Sequence, residues 1–323
     1  MTNYIIRRLF FSVITFLGIT VLVYWMSTLA PGSPLDALLA DPGMTLEEVA
    51  RREKELGLDQ PVYIQYFTWL KELLQGNWGF SYSSYRPVKD VVFERVGATL
   101  TLTVTAIFLS YLVGIPLGLA SALKPYSTMD YVNSAGAFIV SGIPGFFMGM
   151  ILVYVFAIRL KWFPFSGMHS AGGSGVMDLL AHLILPAFAI AFPEIGKVVR
   201  HVRSNMLEVL QEDYTRTARA KGVREIMVIM KHAFRNTLIP LVTVLSGSIP
   251  FMIGGSVVVE KLFSWPGLGS LMVNSITSRD YPVIMGISVI IAIVVLLTNL
   301  LVDILYAKGM AGTPRTGSGY IAR

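Results

Sequence analysis

The chain of 323 residues contains no cysteine. Disulfides, thiolate zinc sites and iron–sulfur clusters are thereby excluded, while the compartment is left open. Charge is scarce as well. Asp, Glu, Lys and Arg make up 14% of the residues, against roughly 25% in an ordinary soluble domain. The four histidines, His169, His182, His201 and His232, share no metal-ligand spacing. No phosphate loop of the form G-x-x-x-x-G-K-S/T is present, and the Gly196-Lys197 pair merely follows an apolar run. H-E-x-x-H and G-x-S-x-G are missing too, so no hydrolase nucleophile or metal site stands out. The sequence offers no catalytic residue and no metal site.

What it has is apolar length. Apolar residues form 54% of the chain, and the mean hydropathy is +0.63. Six runs, over residues 9–30, 96–123, 131–158, 179–193, 236–259 and 281–302, reach or approach the roughly 20 residues that a membrane helix needs. The fourth is the weakest, being short and ending on Glu194. Within lipid only helices or closed barrels satisfy the backbone. Thr99, Thr101, Thr103 and Thr105 alternate like a strand, but the apolar run continues well past them, which favours helix. The first run follows Arg7 and Arg8. It exceeds the roughly 7–15 residues of a signal-peptide core and is expected to be a retained span.

A net charge of +6 fits cytoplasmic loops that collect Lys and Arg better than it fits a nucleic-acid surface. With the N-terminus inside, Arg7, Arg8, Lys124, the insert after Pro193 and the tail all fall in the cytoplasm. Six spans then return the C-terminus to the same side. The segments expected are residues 1–30 for the N-terminus and first helix, and residues 31–95 for an extracytoplasmic segment. Residues 96–306 form a five-helix core that includes a cytoplasmic insert over 197–235, and residues 307–323 form a flexible tail. The outer segment reads as a small cap. Thr45 and Glu48 have capping-box spacing, and residues 61–74 carry Tyr63, Tyr66, Phe67, Trp69 and Leu70 on an apolar face.

The insert is the chemically distinctive part. It runs Tyr214-Thr-Arg-Thr-Ala-Arg-Ala-Lys-Gly-Val-Arg224 and leads into Lys231-His-Ala-Phe-Arg-Asn-Thr-Leu-Ile-Pro240. Arg216, Arg219 and Ala220 share one side of a helix. Ala218 and Gly222, four apart, allow another backbone to come close, and Gly222 is placed to end the helix. The plain alternative is an amphipathic helix lying on anionic lipid. Elsewhere, Gly114-x-x-x-Gly118 and Gly145-x-x-x-Gly149 are expected to pack helices within the chain. Asp130, Glu194, Glu260 and Asp303 lie at expected span ends, where solvation or local pairing is anticipated and a proton relay is not. His182 is expected to be a satisfied packing residue.

On these residues the chain resembles the membrane subunits of binding-protein-dependent ABC importers. Arg216-Thr217-Ala218 stand where Glu-Ala-Ala would be in their cytoplasmic Glu-Ala-Ala…Gly loop, so that Ala218 and Gly222 are the residues retained. The departures resemble the peptide-permease branch, through Ala218-Arg219-Ala220-Lys221-Gly222 and Lys231-His232-Ala233-Phe234-Arg235-Asn236. Leu56-Gly-Leu-Asp-Gln-Pro61, Gly76-Asn-Trp-Gly79 and Glu260-Lys-Leu-Phe-Ser-Trp-Pro-Gly-Leu-Gly269 are similar to the B-type subunit of dipeptide and oligopeptide systems.

The resemblance implies an all-α integral membrane protein with the type I ABC importer permease fold, six transmembrane helices and cytoplasmic termini. It implies a bacterial or archaeal cytoplasmic membrane. The implied partners are a second homologous permease, two ATP-binding subunits, an extracytoplasmic peptide-binding protein and the lipid bilayer, with no nucleic acid. This chain would hold no cofactor, because ATP and Mg would sit in the ATPases. Residues 214–236 would couple to those ATPases through Ala218, Arg219, Ala220, Gly222, Arg224, His232, Arg235 and Asn236. The implied cargo is a dipeptide or oligopeptide, with glutathione or a nickel chelate as the neighbouring alternatives. An autonomous secondary transporter and an intramembrane enzyme are the competing classes. The first lacks a visible repeat or ion site, and the second lacks a catalytic constellation.

Overall fold

The computed structural model describes residues 2–29, positions 48, 51, 54 and 57, residues 59–173 and residues 175–311. The expected capping box at Thr45 lies outside them. Among the described residues the architecture is helical. Helix α1 is Thr2–Leu29, α2 Val62–Leu74, α3 Val88–Leu123, α4 Thr128–Gly142 and α5 Gly145–Leu152, which continues as π-helix over Val153–Arg159. Then come α6 Val176–Gln211, α7 Asp213–Ala220, a short turn at Glu225–Met227, π-helical Val228–Phe234, α8 Arg235–Leu262, α9 Leu268–Thr277 and α10 Tyr281–Ala311. Among the described residues, five helices are long and apolar enough to cross a membrane, and α4 with α5 adds a sixth span if that bent pair counts as one.

That pair corrects the uninterrupted third span expected over residues 131–158. The two helices meet at 99°. Ile143, extended at φ −86° and ψ 122°, precedes Pro144, and the proline ring disfavours helical geometry in the residue before it. The fourth run is corrected in the other direction. Pro186 and Pro193 do not end it, and α6 continues as one helix for 36 residues. At 1.5 Å per residue this is about 54 Å, well beyond the roughly 30 Å of a bilayer core. Residues 197–211 of the expected insert are therefore a rigid helical extension.

Helix α6 is the hub, packed against α3, α4, α5 and α8. Its small residues suit this position: Ala187, Ala189 and Ala191 are fully buried, and Gly196 meets Ala137 and Ser141 of α4 closely. The two small-residue pairs serve the same purpose within the chain, as expected. A Cβ on Gly118 would fall 2.7 Å from the Val199 carbonyl and from Val202, and one on Gly149 2.9 Å from Leu262. Gly118→Leu is thus expected to cost about 1–3 kcal/mol through overpacking. It should lower both the yield and the thermal midpoint in detergent. Gly136→Ala, whose Cβ meets nothing within 4 Å, should leave both unchanged.

The end of the bundle where α3 begins is fastened by side chains. Trp265, fully buried, donates from Nε1 to the Ala98 carbonyl at 2.9 Å. Asp280 accepts from the Ser81 hydroxyl and from the Tyr82 and Ser83 amides. Burial, with Asp280 nearby, pushes the Tyr82 phenol up to about 12. Helix α2 leans on α1 through Tyr66, whose hydroxyl lies 3.1 Å from that of Thr20. Tyr63 and Phe67 point outward instead. At the chain's far end α10 runs on to Ala311, so residues 307–311 of the expected tail are helical.

Candidate docking and coupling site

Glu212, extended at ψ 149°, stops α6 and turns the chain into α7. One face of α7 is taken up by its own protein. Thr215 is fully buried and donates from Oγ1 to the Val209 carbonyl at 2.9 Å, and Ala218 is buried beside it. Val228, Ile229 and Ala233 are buried on the following π-helical segment, which packs against both α6 and α7. Burial raises the Tyr214 phenol above the ordinary range. Asn236 Nδ2 donates to the His232 carbonyl at 2.9 Å.

The helix ends on a left-handed glycine. Gly222 has φ +76°, its amide donates to the Arg219 carbonyl at 2.9 Å, and the Val223 amide donates to that of Ala218 at 3.2 Å. This is the geometry that favours glycine just past a helix end. Arg219 reaches across the turn to Glu225, with Nη2 to Oε1 at 2.8 Å. The bond from Arg219 holds the Glu225 carboxyl below its usual range. The outward crest consists of Arg216, Thr217, Arg219, Ala220, Lys221, Gly222 and Arg224, all exposed. Ile226, Met227 and Met230 adjoin it, also exposed.

The structure thus divides the expected coupling residues. Arg219, Ala220, Gly222, Arg224 and Arg235 are at the surface, His232 and Asn236 are half-buried, and Ala218 packs inward. Ala218 therefore shapes the crest from beneath. Thr215, given no individual role by the sequence, fixes the helix in place through its hydroxyl.

Three carboxylates expected to be solvated at span ends are buried instead. Asp130 pairs with Arg203, whose Nη2 lies 2.7 Å away. Glu194 receives Lys197 at 2.5 Å and the Ser248 hydroxyl at 2.7 Å. Glu260 accepts from Thr99 Oγ1 at 2.8 Å and from the Ser270 amide at 3.0 Å, tying α3 and α8 to the start of α9. Each accepts from at least two donors, as burial requires. Asp303 pairs with Arg8 at 3.1 Å. His182 is buried as expected, its Nδ1 2.8 Å from the Asp178 carbonyl.

Residues 114–308 match the family described as binding-protein-dependent transport system inner membrane component, and residues 1–103 match its N-terminal companion. The oligopeptide transport system permease protein AppB of Bacillus subtilis is 43% identical over 309 residues, spanning 95% of this chain and 98% of that protein. The glutathione transport system permease protein GsiC of Salmonella typhimurium is 39% identical over 307 residues, covering 95% and 97%. Among solved structures, an inward-facing MetNI methionine ABC transporter aligns with a TM-score of 0.56 at 17% identity, over 68% of this chain and 96% of that one. That likeness speaks for the fold alone.

Proposed function

Because the chain belongs to the binding-protein-dependent transport system inner membrane component family, we propose that it is one permease half of an ATP-driven importer of short peptides. Two relatives named for oligopeptide and for glutathione, itself a tripeptide, support this cargo class. A second permease would complete the path, and two cytosolic ATPases would supply ATP and Mg. An extracytoplasmic binding protein would deliver the peptide. The chain sits in a bacterial or archaeal plasma membrane with both termini cytoplasmic. It carries out no catalysis of its own.

The observation that carries the coupling role is the attachment of the α7 crest at both ends. It is continuous with α6 on one side and, through the π-helical segment, with α8 on the other. A partner that grips the crest moves two transmembrane helices as levers. ATP binding in the partner would favour one of two packings of these helices, which is a population shift read out as rigid-body motion. The mixed surface of cationic crest and adjoining Ile226, Met227 and Met230 suits a protein partner. The apolar face that α7 would need to lie on lipid is already buried against its own chain.

The tagged chain, expressed at native level and purified in mild detergent, is expected to bring down a second permease and one or two ATPase types, identified by mass spectrometry. A lone homo-oligomer with no ATPase, even after cross-linking, would return the secondary transporter to first place. The accompanying binding protein can then be screened with di-, tri- and longer peptides, glutathione among them.

A further inference from the structure

A helix broken inside an apolar segment leaves backbone groups that lipid cannot satisfy, and such breaks persist where they border a cavity or are buried in protein. The α4–α5 break borders a cavity of about 380 Å³, walled by Ser141, Gly142 and Phe146 at the break, Pro193 of α6, and Phe251 and Gly255 of α8. Pockets for small molecules span about 300–1,000 Å³ and are mostly apolar with a few placed polar groups. Here the placed group is the Ser141 hydroxyl, which accepts from Arg200 Nη1 at 3.0 Å.

The cations beside this cavity are not equivalent. Lys197 is neutralised by Glu194 and lies over the Phe251 ring, 4.2 Å from its centre. Arg200 has no carboxylate partner among the described residues. Its contacts are neutral: Ser141, the Ala137 carbonyl at 3.4 Å and the Phe138 ring at 5.4 Å. One uncompensated guanidinium therefore stands at the edge of an apolar hollow. The complementary ligand carries an apolar side chain next to a carboxylate, because a guanidinium pairs with a carboxylate through two parallel bonds. The C-terminal residue of a peptide has this chemistry. Two of the walls belong to α6 and α8, the helices that continue into the docking crest. A partner's grip therefore reaches the cavity directly.

We propose that the cavity holds the C-terminal apolar side chain of the transported peptide while Arg200 takes its carboxylate. The assignment rests on the peptide-importer reading above.

The test uses the complete importer, with its partner permease, ATPases and binding protein, in proteoliposomes. A Cβ at Gly255 or at Gly142 meets nothing within 4 Å, so Gly255→Leu and Gly142→Leu each add bulk at the cavity wall with no clash at Cβ. Co-elution with the partner subunits checks the fold of each variant. Uptake of a dipeptide ending in Phe or Leu is expected to fall at least about tenfold, whereas one ending in Gly should change by less than about twofold, in keeping with what a few methylenes decide in a pocket. Arg200→Gln should raise the half-saturating concentration for all free-carboxylate peptides alike, about tenfold, since it removes the charged half of the pair. If both leucine variants lose or keep uptake equally for every C-terminal residue, the cavity assignment is overturned and the importer reading stands. If the unsubstituted complex moves no peptide at all, both fall.

Discussion

Gly222→Asp is expected to reduce cargo uptake at least about tenfold while leaving membrane insertion intact, because a carboxylate forced into a docking contact must be desolvated there, and about 1.4 kcal/mol is tenfold. The position is exposed and open, with nothing within 4 Å of an added Cβ, so the protein's own packing is spared. Its backbone is left-handed at φ +76°, a region that Asp and Asn tolerate better than other residues with side chains. What changes is the crest. A carboxylate between Lys221 and Arg224 would lower the positive field offered to the partner and enter the closest approach. Gly222→Asn separates the two causes, since it carries the same backbone penalty without charge. It should retain most uptake, and both variants should be present in membranes at normal abundance on an immunoblot. Wild-type uptake by Gly222→Asp would end the coupling role of this turn.

The second large effect is on stability. Asp130 begins α4, where Ser127 caps the helix by accepting from the Asp130 amide at 3.3 Å. Its buried carboxylate accepts from Arg203, from the Tyr126 amide at 2.9 Å and from the Ser134 hydroxyl at 3.2 Å. Asp130→Ala removes the anion and strands a partly buried guanidinium together with two donors. Breaking one side of such a pair costs about 3–5 kcal/mol. The thermal aggregation midpoint of the purified complex should drop by about 5 °C or more. Replacing both partners, as Asp130→Ala with Arg203→Met, should recover at least half of that drop, because an apolar pair needs no compensation. A single variant melting with the wild type would show that Arg203 finds equal partners elsewhere.

The membrane spans were legible because lipid imposes a length and a composition that few other environments demand, and residues 9–30 or 281–302 satisfy both. The insert was legible because its charges and glycine stand out against an apolar background. The break at Ile143-Pro144 was written in the sequence as Gly-Ile-Pro-Gly, but a run's hydropathy does not register a change of direction. Pro193 followed by Glu194 read as a span end, yet α6 passes straight through both. A proline needs only a tolerant neighbourhood, and Glu194 only Lys197 and Ser248 as partners. The inward turn of Ala218 could not be read, since small residues on a short helix mark no face.

By itself the sequence determined that this is a membrane protein of long apolar spans with one basic insert between them. Those properties depend on residue type over short stretches. The tertiary structure decided which carboxylates are buried, which arginine lacks a counter-charge, and which helices wall a cavity. Arg203 lies 73 residues from Asp130, and Glu260 lies 161 from Thr99. Burial and charge compensation are properties of neighbours in space, and only the packing of α3, α4 and α8 around α6 brings those neighbours together.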